Sequence, residues 1–341
     1  MAAASSLDAI PEELRAVASS ALAAALGSAE PPALARVTGG ASGALTYRVD
    51  ATDRPYLLRL ETGLNARTNP NHYACMRAAA EAGIAPPLRF VDPDRGVAVM
   101  EFIEQRPLQA YPGGPPALVR ELGALVRRLQ ERAVFPPAEI RYTDLIHRML
   151  TFVVQSRVFA DGLLAPHGEG LERICDAYPW DDGALVSSHN DPNPRNVLFD
   201  GARLWLVDWE TAYRNDPLTD LAVVTHELAA ASDLQRQLVR SWLGREPDRA
   251  TLARLVLMRQ LTRMFFACAL FRHFAGIPGR PPDSDLTPLS AEQFISAIQT
   301  GRLKLGTPEV LYAFAKMFLA GFLDELTAPG FDEALAAARG G

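Results

Sequence analysis

The chain has only three cysteines, Cys75, Cys175 and Cys268. No two of them have the close spacing of a dithiol redox motif or a zinc knuckle, and an odd number cannot be fully paired within one chain. That usage points to a reducing compartment. The first residues do not read as a secretory leader either. The opening MAAASSLDAIPEELRAV has no basic stretch, and acidic residues interrupt it before an apolar run forms. The most apolar late stretch, Leu255 to Phe271, is broken by Arg259, Gln260 and Arg263, which makes it too short and too charged to span a bilayer. These features predict a soluble, cytoplasmic protein with no membrane insertion. There is no basic surplus: 34 Lys and Arg against 40 Asp and Glu leave a net charge of -6, so no nucleic-acid partner is expected. Repeats of 20–50 residues and low-complexity tracts are also missing. Nothing in the sequence marks an oligomeric state.

What is present is ample apolar material, 48% of 341 residues, enough for a large core and, at roughly 150 residues per domain, about two domains. Pro11 to Leu26 reads as an alanine-rich helix that stops at Gly27. Val37 to Asp50 is glycine-rich in front and alternating behind, and Tyr56 to Glu61 follows as a strand after the Asp53-Arg54 turn. Asn69-Pro70 opens a helix closing at Gly83. Leu88 to Ile103 reads as two strands around Asp92 to Gly96. The remainder is mostly helical: Leu118 to Leu129, about Thr143 to Phe159, Arg249 to His273 capped by Asp248, a capping box at Ser290 and Gln293, and a helix from Pro308 to about Leu326. The exception is Ala184 to Trp209, where two short strand patterns flank Asp200-Gly201, a two-residue hairpin signal. The predicted class is α+β in two lobes, with a small antiparallel-sheet lobe over residues 1–103 and a mostly helical lobe over 104–341.

The segment from Ser187 to Glu210, SSHNDPNPRNVLFDGARLWLVDWE, carries the chemistry. Each of its polar residues alone is ordinary, since a lone Asp in a loop is usually a cap. Together they are not. Asp191 and Asn196 sit five apart, Asn196 opens a short apolar strand, and the returning strand can bring Asp208 back beside Asn196. Mg²⁺ prefers hard oxygen ligands and takes one or two protein carboxylates alongside phosphates, which Asn196 and Asp208 match. Asp191 is then free to face an incoming hydroxyl and accept its proton. His189 reads as a loop-shaping residue.

The motif H-x-D-x-x-x-x-N followed by a hairpin and D-W-E, here HNDPNPRN and VDWE, resembles the aminoglycoside phosphotransferase and choline kinase superfamily, which has a protein-kinase-like fold. Within it, HND with WETAYRNDPLTDLA looks most like the choline/ethanolamine kinase and LicA-type branch. The resemblance runs from about Val37 to about Glu227. It implies an ATP- and Mg²⁺-dependent phosphotransferase acting on a small hydroxyl-bearing acceptor: choline, ethanolamine or another amino alcohol. Alternatives are a neutral sugar or alcohol, an aminoglycoside-like acceptor, or a catalytically weak nucleotide-binding regulator. By resemblance Asp191 is the catalytic base, Asn196 and Asp208 hold the metal, and Glu210 and Glu227 lie near the acceptor. Asp220 supports the catalytic loop, as His189 does. Val223-Val224 stands where choline kinases carry Asn-His, and Trp209-Glu210 follows Asp208 in place of Phe-Gly.

On the nucleotide side, Gly39, Gly40, Ser42 and Gly43 lie between strand patterns. Glycines let backbone amides approach phosphates, although the Gly-Lys-Ser/Thr of a Walker A loop is missing. Arg59 occupies the position where most kinases have lysine, and its fork of donors can hold two phosphate oxygens. The helix glutamate expected to pair with it is replaced by His72, so either His72 packs on Arg59 or another acid is the partner. Met100, Glu101 and Ile103 fall at the adenine-binding hinge, with Met100 as apolar wall. The late aromatics Phe265, Phe266, Phe271, Phe274, Tyr312, Phe314, Phe318 and Phe322 read as core, some of them as candidate acceptor walls. Arg263, Arg272 and His273 read as a solvated face.

Overall fold

The structure is a computed structural model and describes residues 7–27, 32–37, 43–62, 69–277 and 279–339. Two compact units emerge. One comprises Met1–Pro137, Val186–Asp220 and Glu227–Gly244; the other comprises Ala138–Leu185, Leu221–His226 and Arg245–Gly341.

The first unit begins with helix α1 (Glu12–Leu26), ended by Gly27 at φ 67°, the left-handed geometry that suits glycine. Strands β1 (Ala33–Val37), β2 (Leu45–Asp50), β3 (Pro55–Leu60), β4 (Leu88–Asp92) and β5 (Val97–Glu101) form an antiparallel sheet in the order β1-β2-β3-β5-β4. Alternation is clear in β2, where Tyr47 and Val49 are buried, whereas β5 buries Val97 to Met100 without a break. Tyr47, Val49, Leu58, Leu60, Val97 and Val99 are buried in one cluster with Ala18, Ala21 and Leu22 of α1. Helix α2 (His72–Glu81) interrupts the strands, as the sequence predicts. Helix α3 (Gly114–Arg132) buries Leu118, Leu122, Leu125, Val126 and Leu129 along one face.

Four short strands then shape the motif region: β6 (Val186–Ser188), β7 (Val197–Phe199), β8 (Leu204–Leu206) and β9 (Tyr213–Asn215). β7 and β8 pair as expected, but the connection is longer than the two-residue hairpin read from Asp200-Gly201. It spans Asp200 to Arg203, because the Asp200 carboxylate accepts from the amides of both Ala202 and Arg203 and closes a wider turn. The pairing of β6 with β9 is not anticipated by the sequence reading, since three-residue strands are too short to show a period. The ends of α6 (Thr219–Glu227) belong to this unit, and so does α7 (Ser232–Leu243), which packs on α3.

The second unit is helical: α4 (Tyr142–Gln155), α5 (Ala165–Ala177), α8 (Arg249–Phe271), α9 (Ala291–Gln299), α10 (Pro308–Leu326) and α11 (Phe331–Arg339). The cap at Asp248 and the capping box at Ser290 and Gln293 are both formed. The α4 helix stops at Gln155, short of the Phe159 that periodicity allowed, and Phe159 instead packs edge-on against Phe271. Phe265, Phe266, Phe314 and Phe318 form one aromatic group with His226, while Phe271 and Phe274 gather on Tyr312. Arg263 is not part of a solvated face. It donates to Gln260, to the Gly321 carbonyl and to Glu325. Among the described residues no helix is long and apolar enough to cross a membrane.

Candidate active site

The catalytic-loop residues are drawn together by backbone bonds. The Val207 amide donates to the Asn196 carbonyl at 3.0 Å, so the chain leaving β8 delivers Asp208 alongside Asn196. Asp208 has φ 67°, a left-handed conformation unfavourable for a residue with a Cβ, and the chain turns there into a single 3-10 turn, Trp209–Thr211. One Asp208 carboxylate oxygen, Oδ1, is buried with no hydrogen-bond partner among the described residues. Asn196 donates through Nδ2 to the Asp191 carbonyl (2.9 Å) and to its carboxylate (3.3 Å), which leaves the amide oxygen of Asn196 as its acceptor end.

Asp191 is fixed further by Asn193, whose Nδ2 donates to Oδ1 at 2.8 Å. Burial pushes its carboxyl up to about 7; Asn193 and Arg195 oppose the rise, and the neighbouring charges of Asp208 and Glu227 add to it. Burial also raises Glu227, against the pull of Arg195. Glu210 is raised by burial and by Asp208, and Arg59 offsets part of that.

The loop is supported from beneath. The Asp220 carboxylate, fully buried, accepts from the amides of His189 (3.0 Å) and Asn190 (2.7 Å). Burial lifts its carboxyl to about 6 while those two amides hold it down. His189 donates from Nε2 to the Val207 carbonyl at 2.8 Å and accepts the Asp191 amide at Nδ1, and burial pushes its imidazole below the ordinary value. That bonding pattern defines a neutral ring with a single tautomer. Its ring centroid lies 4.5 Å from that of Trp209, with the two rings tilted by 51°. Asn190, at φ 66°, donates to the Thr211 carbonyl and accepts from Asn215, tying the loop to β9. Sequence reasoning did not reach Asn190, Asn193, Thr211 or Asn215, since short polar residues in a loop carry no period.

On the nucleotide side, Gly39, Gly40 and Ser42 lie outside the described residues. The Gly43 carbonyl accepts from Thr62 at 2.7 Å. Arg59 is not a solvent-facing strand residue: its side chain is 7% exposed and pairs with Glu61 at 2.7 Å and with Glu210. His72 does not stack on the guanidinium in place of an acid. Its Nε2 lies 2.6 Å from the same Glu61 oxygen, so Glu61 stands between Arg59 and His72. Glu61 is legible after the fact: it is two residues beyond Arg59 on the strand, hence on the same face. Met100 is buried in β5. The Glu101 amide donates to Pro87 and the Phe102 amide to Pro55, both within the sheet, and the Glu101 carboxylate pairs with Arg54 and Arg89. Ile103 follows at a half-buried position just past the last sheet bond.

Among the described residues no group of three or more His, Cys, Asp or Glu is arranged to hold a metal ion. A cation that relies on phosphates for most of its shell needs no such group, and the unpartnered Asp208 oxygen beside Asn196 is what such an ion would use.

The structure is similar to a choline/ethanolamine kinase family protein from Mesorhizobium loti, with 24% identity, a TM-score of 0.65, and coverage of 90% of this chain and 92% of that one. It is similar to the choline kinase LicA from Streptococcus pneumoniae, with 17% identity, a TM-score of 0.59, and coverage of 84% and 93%. It also resembles a spectinomycin phosphotransferase solved with ADP and spectinomycin, at 13% identity, a TM-score of 0.50, and coverage of 85% and 94%. At these identities the likeness shows a shared kinase-like fold. Among curated proteins none matches the chain. The family model for the phosphotransferase enzyme family matches residues 33–255, well over half of the chain, and the protein belongs to that family.

Proposed function

We propose that the protein transfers the γ-phosphate of ATP to the hydroxyl of a small acceptor in the presence of Mg²⁺, and that the acceptor is an amino alcohol of the choline or ethanolamine type. The observation that carries this reading is the meeting of three groups. Asp191 is oriented by Asn193 and Asn196, Asn196 is bonded beside the returning strand, and Asp208 presents a buried oxygen with no partner among the described residues.

Asn196 and Asp208 would hold the metal, which when bound neutralises phosphate charge during transfer. Arg59 would hold phosphate oxygens through its planar fork. The Gly39 to Gly43 loop would cover the phosphates, and the backbone at Glu101 and Ile103 would meet the adenine edge, with Met100 behind it. The Asp191 carboxylate orients the acceptor hydroxyl. As its oxygen bonds to the γ-phosphorus, the bond from that phosphorus to the bridging oxygen breaks, ADP leaves with the electron pair, and the proton passes to Asp191. A base with a carboxyl near 7 is well matched to that proton.

The acceptor class follows from charge. Asp191 lies close enough to Asp208 and Glu227, and Glu210 to Asp208, for their charges to act on one another, and an acidic region of this kind suits a cationic acceptor better than a neutral one. The test is ADP formation with ATP and Mg²⁺ across choline, ethanolamine, an aminoglycoside and neutral sugars. Turnover with the amino alcohols is expected. Turnover confined to neutral sugars would overturn the acceptor class, and no turnover with any acceptor would favour a regulatory nucleotide binder.

A further inference from the structure

Arg59 is neutralised from both ends, and the two ends differ. On one side Glu61 is 10% exposed and its Oε1 lies 2.7 Å from Arg59 Nη1 and 2.6 Å from His72 Nε2. His72, 3% exposed, turns its other nitrogen, Nδ1, to the Asn69 carbonyl at 3.1 Å. The ring is thus set between the Asn69 carbonyl at Nδ1 and the Glu61 carboxylate within ion-pair distance of Nε2. Tyr73 closes the group: its ring lies 4.0 Å from that of His72 and 5.9 Å from the Arg59 guanidinium. The Glu61 amide donates to the Gly96 carbonyl, which continues the strand and fixes where the carboxylate points. On the other side Glu210 pairs with Arg59 Nη2 from a short 3-10 turn and is 37% exposed.

We infer that Glu61, held by His72, is the permanent partner that positions Arg59, and that Glu210 is an exchangeable partner which the phosphates of the nucleotide displace. This rests on the phosphotransferase reading and deepens it. A charge that must receive an anion cannot be left bare in a buried place, because an unpaired buried ion is costly. Nor can both of its partners be immovable. The buried, doubly anchored carboxylate fits the first role and the partly exposed one fits the second. Displacement also has a consequence on the acceptor side: Glu210 is released beside Asp208 only when the triphosphate is in place, so nucleotide binding readies the rest of the site.

The experiment is calorimetric titration of the full chain with ATP in the presence of chelator and with adenosine, alongside steady-state kinetics and thermal unfolding. Glu61→Gln is expected to weaken ATP by about tenfold, the low end for a partner outside the first contact shell, and to leave adenosine within about twofold. Its KM for ATP should rise while the KM for the acceptor holds. Glu61→Asp, which keeps the charge, should recover part of the ATP affinity. His72→Gln should weaken ATP in the same sense, and the double variant should lose less than the sum of the singles. Glu210→Gln should bind chelated ATP as tightly as wild type or tighter, because a competitor is gone. Wild type that binds ATP while Glu61→Gln and His72→Gln bind it equally well would overturn the inference alone. So would equal losses for ATP and adenosine, or a Glu210→Gln loss as large as that of Glu61→Gln. Wild type without ATP affinity would overturn the phosphotransferase reading, and the inference with it.

Discussion

Asp191 shows what a single residue sets and what it costs. A carboxyl whose ordinary value is 3.8 is pushed to about 7 by burial. Between those values the native protein binds more protons than the unfolded chain, so stability falls as pH rises through that window. Asp191→Asn removes the titration. Metal-free Asp191→Asn should therefore unfold at a higher temperature than wild type above pH ~7, with the difference shrinking towards pH ~4. Thermal unfolding across that range checks it, and a variant less stable than wild type at high pH would show that the carboxylate is held by attractions stronger than its burial cost. Asp208 makes a second prediction. Among the described residues its buried Oδ1 has no hydrogen bond to lose. Asp208→Ala should weaken Mg²⁺-ATP much more than adenosine, roughly tenfold or beyond for a lost ligand. Equal losses in titrations with and without Mg²⁺ would move Asp208 away from the metal. These acidic residues were legible because their spacing is unusual. Glu61 was not, although YLLRLE places it two positions after Arg59, because a charged residue at a strand end has an ordinary explanation in solvent.

Among the elements, most of the long helices and the five-stranded sheet were legible, and so was the short β7–β8 pair that the Asp200-Gly201 signal marks, whereas β6 and β9 were not. The α3, α8 and α10 helices carry apolar faces of several turns, and the sheet strands are apolar runs of five or six residues, with alternation clearest in β2. β6 and β9, three residues each, are defined by what they meet, and α7 was not singled out. The packing of α7 on α3 depends on one close approach. A Cβ added at Gly123 would lie 2.4 Å from the Leu238 carbonyl oxygen and 3.1 Å from both Ser241 Cβ and the Trp242 amide. Backbone atoms cannot yield as a flexible side chain can. Gly123→Ala should cost about 1–3 kcal/mol of unfolding free energy, the range for overpacked cores, even though alanine is the better helix former. Denaturant unfolding measures it. A neutral or stabilised variant would mean that α7 shifts freely on α3. The motif hairpin shows the opposite balance. Its position was read from Asp200-Gly201, yet its length was set by two bonds from the backbone to the Asp200 side chain, which no dipeptide rule contains.

For the whole molecule, the α+β class and the order of sheet-rich before helix-rich segments follow from periodicity, and the kinase-like character follows from one 24-residue stretch. The lack of a basic surplus, of a membrane-length apolar run and of paired cysteines narrowed the field before any motif was considered. What the sequence could not show was how far the acidic residues of the motif are withdrawn from water, since burial is a property of the assembled fold. The account rests on Asp191 as the group that receives the acceptor's proton. Its most direct test is single-turnover transfer from saturating Mg²⁺-ATP to an acceptor that wild type turns over, measured for wild type and Asp191→Asn with ATP affinity determined on the same samples. The account predicts that Asp191→Asn binds ATP within about twofold of wild type and transfers phosphate at least about a hundredfold more slowly, as expected for a lost proton acceptor. Transfer at the wild-type rate by a variant that binds ATP normally would contradict it.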